Sequence, residues 1–286
     1  GGSSIDLTKA VNILMTNPGP IGQYGGIGLV KESVLPLIAI PTTAGTSSEI
    51  TNVVALTDTK AVCKYVIIDN KIVADKVIAD PEFTKTMPAG VTAATGMDAI
   101  THAVESYISN MSTALTEYHS IKALQIFHEY LPKAVANGSD MEAREKMMLG
   151  CLIAGFGFSN ANLGLVHGIA HTLSAHFHLA HGVANAILLP TILDYNKLAD
   201  KGKYKKIYEY VSETHRSDES FTPDMLVDAI RALNNSLSIP ANLTEVGVTE
   251  DKIDVMADDA MKSGNIMVNP RRSTKKDIVA LYKKAM

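Results

Sequence analysis

The sequence predicts an α/β portion over residues 1–83 followed by an all-helical portion over residues 84–286. Three observations carry this. Short β-branched runs bounded by polar turns fall only in the first third of the chain. Helical periodicity with almost no strand signal fills the next two hundred residues. Within that second part, HGIAHTLSAHFHLAH (167–181) gathers five of the chain's nine histidines into fifteen residues.

Residues 4–16 read as a helix, with Ser3 or Ser4 as N-cap and Asp6 in its first turn. NPGPIGQYGGIG (17–28) is loop. LPLIAIPTT (35–43), VVALTD (53–58), YVIID (65–69) and KVIAD (76–80) are the strand candidates. Helices are expected at 90–109, 112–131, 140–159 and 181–199, then near 203–214, 223–236, 249–263 and 274–286. Pro190 removes a backbone donor and is expected to kink or break its helix. Nucleotide-binding units place a glycine- and serine-rich turn such as Gly1-Gly2-Ser3-Ser4 between a β-strand and a helix, so the sequence reads as the later part of a longer chain.

Composition narrows the function. The chain is 46% hydrophobic and 20% charged, an ordinary globular balance. A net charge of −4 gives no electrostatic case for nucleic acid or an anionic membrane. No apolar run approaches the ~20 residues of a membrane span, and no signal peptide is read at the start. Cys63 and Cys151 form no CxxC pair and read as buried thiols in a reducing compartment, so a cytoplasmic location is expected.

Two motifs carry chemistry. In TGMDAITHAVE, Asp98 and His102 lie four apart, on one face if the segment is helical. His167 and His171 repeat that spacing, and His181 comes ten residues later. A carboxylate with imidazoles suits divalent iron or zinc. Spacing alone leaves open which histidines bind, with His171, His176 and His178 eligible by the same logic. The second motif is PTTAGTSSE (41–49), whose small hydroxyls and glycine let backbone N–H groups approach a diphosphate. Gly1-Gly2-Ser3 offers a second such loop, and Lys64 adds a cation in the same third of the chain. Neither loop is a G-x-G-x-x-G or Walker pattern.

Together with IADPEFTKTMPAGVTAATGMDAITHAVESY, GLVHGIAHTLSAHFHLAHGVANAILLP and the late NPRRSTKKDIVALY, the segments GGSSIDLTKA and PTTAGTSSE resemble the iron-dependent (group III) alcohol dehydrogenases. The resemblance implies an α/β dinucleotide-binding portion, incomplete here, and a helical metal-binding domain with the metal in the cleft between. It implies Asp98, His102, His167 and His181 as ligands of Fe2+, or of Zn2+ or another divalent ion. By the same resemblance His171 sits beside the metal as a proton relay, while His176 and His178 are bystanders. Gly2, Ser3, Thr42, Thr43, Thr46 and Lys64 line the dinucleotide, NAD or NADP. The implied reaction is hydride transfer between a small alcohol or aldehyde and that cofactor, in a homodimer or larger assembly. Phe156, Asn160 and Asn162 are expected to contribute to the substrate pocket. The alternatives are a metal-dependent lyase or synthase on the related scaffold and a catalytically silent fragment.

Overall fold

The computed structural model describes residues 1–60, 62–212 and 220–286. It opens with helix α1 (Gly2–Thr16). Next comes a three-stranded sheet, in which β1 (Gly26–Ile27) pairs parallel with β4 (Cys63–Ile68), and β4 pairs antiparallel with β3 (Val53–Asp58). A separate parallel pair joins β2 (Ile38–Ala39) to β5 (Lys76–Val77). The β3–β4 hairpin and α1 enclose a small core of Ala10, Ile13, Tyr24, Val30, Val54, Ile67 and Ile72.

Helices then take over: α2 (Ala89–Ile108), α3 (Ala114–Ala136), α4 (Met141–Ala161), α5 (Leu165–Phe177), α6 (His181–Asn196), α7 (Lys203–Val211), α8 (Pro223–Ser236), α9 (Ile253–Ala260), α10 (Gly264–Met267) and α11 (Lys275–Ala285). The central one is α2. It packs against α3, α4 and α6 and is buried on nearly every side from Thr92 to Ile108. Its apolar and small residues pack against these neighbours, while the buried polar side chains of Asp98, His102 and Glu105 are kept for the site described below. No single helix among the described residues is long and apolar enough to cross a membrane.

Several expectations are corrected. Helix α1 starts at Gly2 with Gly1 as its cap, and no side chain caps it, so neither Ser3 nor Ser4 is the N-cap. Asp6 lies beyond the first turn and accepts instead from the Ser48 hydroxyl and, at 3.0 Å, from the Ala55 N–H. The 35–43 run forms a ladder only at Ile38–Ala39, and the 76–80 run only at Lys76–Val77, because each is the other's short partner. Helix α7 ends at Val211, and the last two residues of the 203–214 expectation lie outside the described residues.

Pro190 sits inside α6 without breaking it. Proline takes away the donor that would have served the Ala186 carbonyl four residues back. Asn234 Nδ2, reaching over from α8, donates to that carbonyl at 2.7 Å. A tertiary amide thus replaces the missing helical bond.

Candidate metal centre

Two helices and the start of a third aim their polar side chains at one point. Asp98 and His102 sit a turn apart on α2, His167 and His171 a turn apart on α5, and His181 is the first residue of α6. The start of α6 can lie against α2 only because residue 182 is glycine. A Cβ there would fall 2.2 Å from the Ala94 carbonyl oxygen.

Asp98 Oδ1 is 3.7 Å from His167 Nε2, 3.8 Å from His181 Nε2 and 4.0 Å from His102 Nε2. Two donors each ~2.1 Å from a shared cation lie between ~3.4 Å and ~4.2 Å apart, from tetrahedral to opposed. All three separations fit. The ligand atoms of Asp98, His167 and His181 lie within 4.8 Å of one another, and His102 stands at the edge of this group. The His102 ring is clamped between Phe158 and His167, with centroids at 4.4 and 4.7 Å.

Glu105 sets the back of the site. Buried to 2% exposure on α2, it accepts from His167 Nδ1 at 2.6 Å and from the Val166 N–H at 2.7 Å. The carboxylate therefore caps the start of α5, which has no side-chain cap of its own, and fixes the His167 tautomer with Nε2 turned toward Asp98. Asn185, one turn beyond His181 on α6, is fully buried and directs its amide at the same three ligand atoms.

The electrostatics come from burial and these partners. Burial opposes ionisation of Asp98, but the surrounding imidazoles outweigh it and hold the carboxyl well below the usual carboxylate range. Burial lowers His102 to about 4 and His181 to about 3, leaving neutral rings with free lone pairs. For His167 burial is opposed and overcome by Asp98 and Glu105, which raise it to about 9. Burial also pushes His171 well below its ordinary value. The Asp98 carboxylate with the neutral rings of His102 and His181, joined by His167 once its Nε2 proton is displaced, is a donor set for a divalent cation.

This group forms one wall of a cleft of about 230 Å³. The facing wall brings Gly2, Ser3, Asp6, Thr46, Ser48 and Lys64 together. Gly2 and Thr46 touch so closely that a Cβ on Gly2 would fall 2.5 Å from Thr46 Oγ1. Thr42 and Thr43 do not line the cleft. Thr42 Oγ1 accepts from the Gly1 amino group at 2.9 Å, and Thr43 lies against Gly1. Asn162 lines the cleft with Phe158, Ser159 and Leu163, but Phe156 and Asn160 do not. Those two, four residues apart, fall on the outer face of α4, where Asn160 donates to the Phe156 carbonyl and Phe156 is 53% exposed.

The two remaining histidines of the cluster, His176 and His178, are not among these ligand atoms. His176 Nε2 pairs with Asp259 at 3.0 Å, joining α5 to α9, and His178 adopts a left-handed conformation just past α5.

Comparison with known proteins decides the family. Residues 92–286 match the family described as "Fe-containing alcohol dehydrogenase family, C-terminal", and residues 1–81 match "Iron-containing alcohol dehydrogenase". The chain belongs to the iron-containing alcohol dehydrogenases. Its relatives in this family include the NAD-dependent methanol dehydrogenase of Bacillus methanolicus, 38% identical over 287 residues covering 100% of this chain and 75% of that protein. The 1,3-propanediol dehydrogenase of Citrobacter freundii is 40% identical over 286 residues, 100% of this chain and 74% of that one. A crystal structure of 1,3-propanediol oxidoreductase superposes with a TM-score of 0.95 at 39% identity, covering 100% of this chain and 75% of that one. This iron-type dehydrogenase thus spans about three quarters of the length of the relatives it matches.

Glu105 and Asn185 escaped the sequence reading, though both carried a signal. Glu105 is three residues after His102 and seven after Asp98, on the face those two share. Asn185 is four after His181.

Proposed function

We propose that this chain is an alcohol dehydrogenase and aldehyde reductase that uses a divalent cation, Fe2+ or Zn2+, and a nicotinamide dinucleotide. The observation that carries the reading is the meeting of Asp98 Oδ1, His167 Nε2 and His181 Nε2 on one wall of a cleft whose other wall holds Gly2, Ser3, Thr46 and Lys64. Asp98, His167 and His181 hold the cation, with His102 as fourth ligand. A bound cation supplies Lewis acidity at an alcohol or carbonyl oxygen, and a dinucleotide supplies the hydride acceptor or donor.

The protein's own residues do the rest. Gly2 and Ser3, at the start of α1 where no side chain caps the helix, line the cleft with Thr46, a setting that favours a dinucleotide phosphate. Lys64, its ammonium disfavoured by burial and supported by the Asp98 and Asp6 carboxylates, adds the compensating positive charge. Val53, Val66, Ile68, Phe158 and Leu163 make the apolar walls that exclude water from the reacting carbon. His171, kept neutral by burial and stacked on His181 at 5.2 Å, receives the alcohol proton on a ring nitrogen and passes it outward. Cys151 is buried, whereas Cys63 on β4 is only half-buried, correcting the expectation for it, and these free thiols suit a reducing, cytoplasmic setting.

The test is metal analysis paired with an NAD(H)-linked assay over short alcohols, diols and aldehydes. His181→Ala should lose metal and turnover together. His171→Ala should keep metal and lose turnover. Normal metal content in both would overturn this division of roles, and turnover without net change in NADH would favour a lyase or synthase.

A further inference from the structure

Asn185 has the hydrogen-bonding environment of a competitor for the cation rather than of a bystander. Its Nδ2 lies 2.5 Å from Asp98 Oδ1, 3.0 Å from His167 Nε2 and 3.2 Å from His181 Nε2. A carboxamide nitrogen has only two hydrogens to give. Asp98 Oδ1 and the neutral His181 Nε2 accept them, His167 Nε2 joins as a third acceptor once it has lost its proton, and these are the same three atoms that the proposed cation site uses. A lone pair can face an N–H or a cation but not both.

The other end of the side chain matters as much. Asn185 Oδ1 is buried with no hydrogen-bond partner. The orientation of this amide is therefore set at its nitrogen end alone, and no bond to the oxygen resists its turning. An unpaired buried carbonyl is costly, so the donor end must be held firmly to compensate.

We propose that the Asn185 amide is a positioning residue that gathers the Asp98, His167 and His181 donors around its own N–H groups and is turned aside when a divalent cation takes their lone pairs. The residue thereby keeps the Asp98 and His181 donors converged on His167, which Glu105 already holds. It also weakens cation binding, because its hydrogen bonds must first be surrendered. The inference rests on the metal-site reading above and adds a residue that opposes the cation.

The test compares wild type with Asn185→Leu, close in size but without donors, and with Asn185→Ala in case the leucine variant misfolds. Each protein is stripped with a chelator and titrated with Zn2+ against a chromophoric chelator, and melting is recorded stripped and Zn2+-loaded. The expected result is a roughly tenfold lower Kd for Zn2+ in the variants, equivalent to about 1.4 kcal/mol. Melting should fall in the stripped variants and change little in the loaded ones. An equal fall in both forms with unchanged Kd would overturn the inference and leave Asn185 a packing residue. A higher Kd would overturn it too, since the amide would then be assisting the cation. Failure of wild type to take up Zn2+ would instead remove the metal site itself.

Discussion

Replacing Glu105 by Gln isolates one link between fold and site. In wild type both carboxylate oxygens accept, one from the Val166 N–H at 2.7 Å and the other from His167 Nδ1 at 2.6 Å. Glutamine keeps the shape but turns one acceptor into a donor. If its oxygen stays on Val166, the cap of α5 survives and the new NH2 meets His167 Nδ1. That imidazole must then switch tautomer, accept at Nδ1, and carry its hydrogen on Nε2, the atom facing Asp98. The lone pair needed by a cation is gone. Losing a buried charge-assisted hydrogen bond costs ~1.5–3 kcal/mol, and disturbing the partner that orients a metal-bound histidine costs ~10–100-fold in metal affinity. Chelator-competition titration with Zn2+ and urea unfolding of the stripped protein read the two effects separately. A Glu105→Gln variant with wild-type Zn2+ affinity would refute the claim that Glu105 fixes His167.

The same geometry dictates other outcomes. Gly182→Ala sets a methyl 2.2 Å from the Ala94 carbonyl, so α6 must shift and carry His181 with it. The variant should lose ~1–3 kcal/mol in unfolding experiments and bind Zn2+ more weakly. Gly2→Ala places its methyl 2.5 Å from Thr46 Oγ1 and should weaken NAD(H) binding, measured by fluorescence titration, while leaving metal content unchanged. Lys9 gives a pH test. Its side chain is 1% exposed, donates to the Ser48 and Thr51 carbonyls at 2.6 Å and to the Val53 carbonyl at 3.2 Å, and burial lowers its pKa to about 8. The folded protein therefore releases this proton at lower pH than the unfolded chain, so its contribution to stability rises between about pH 8 and 10.5. Across that window wild type should gain about 3 kcal/mol relative to Lys9→Met in urea unfolding, and no relative gain would contradict the burial argument.

The helical part was legible because burial stamps its period on the chain. Pro223–Ser236 falls on its expected limits, and α2 and α11 lie within a residue of theirs. The hairpin strands were readable for the same reason, since β3 and β4 alternate against one small core. What sequence could not give was set by contacts between distant residues. The integrity of α6 across Pro190 depends on Asn234, forty-eight positions from the carbonyl it serves. Helix α1 has no hydroxyl cap because its N-cap position is Gly1, with Thr43 packed against Gly1 and Thr46 against Gly2, both distant in sequence. At the site, Asp98 and the histidines announced themselves by residue type and spacing. Glu105 and Asn185 did not, because a lone Glu or Asn on a helix acquires meaning only when the helices meet. Phe156 and Asn160 were misplaced because they share a helix with the cleft residues but not a face.

The most direct measurement is anomalous diffraction at the zinc edge from crystals of stripped protein reloaded with one equivalent of Zn2+, beside an Asp98→Asn control. A single peak is expected within ~2.2 Å of Asp98 Oδ1, His167 Nε2 and His181 Nε2, lost or much weakened in the control. A peak at another place, or an equal peak in the Asp98→Asn protein, would contradict the metal centre described above.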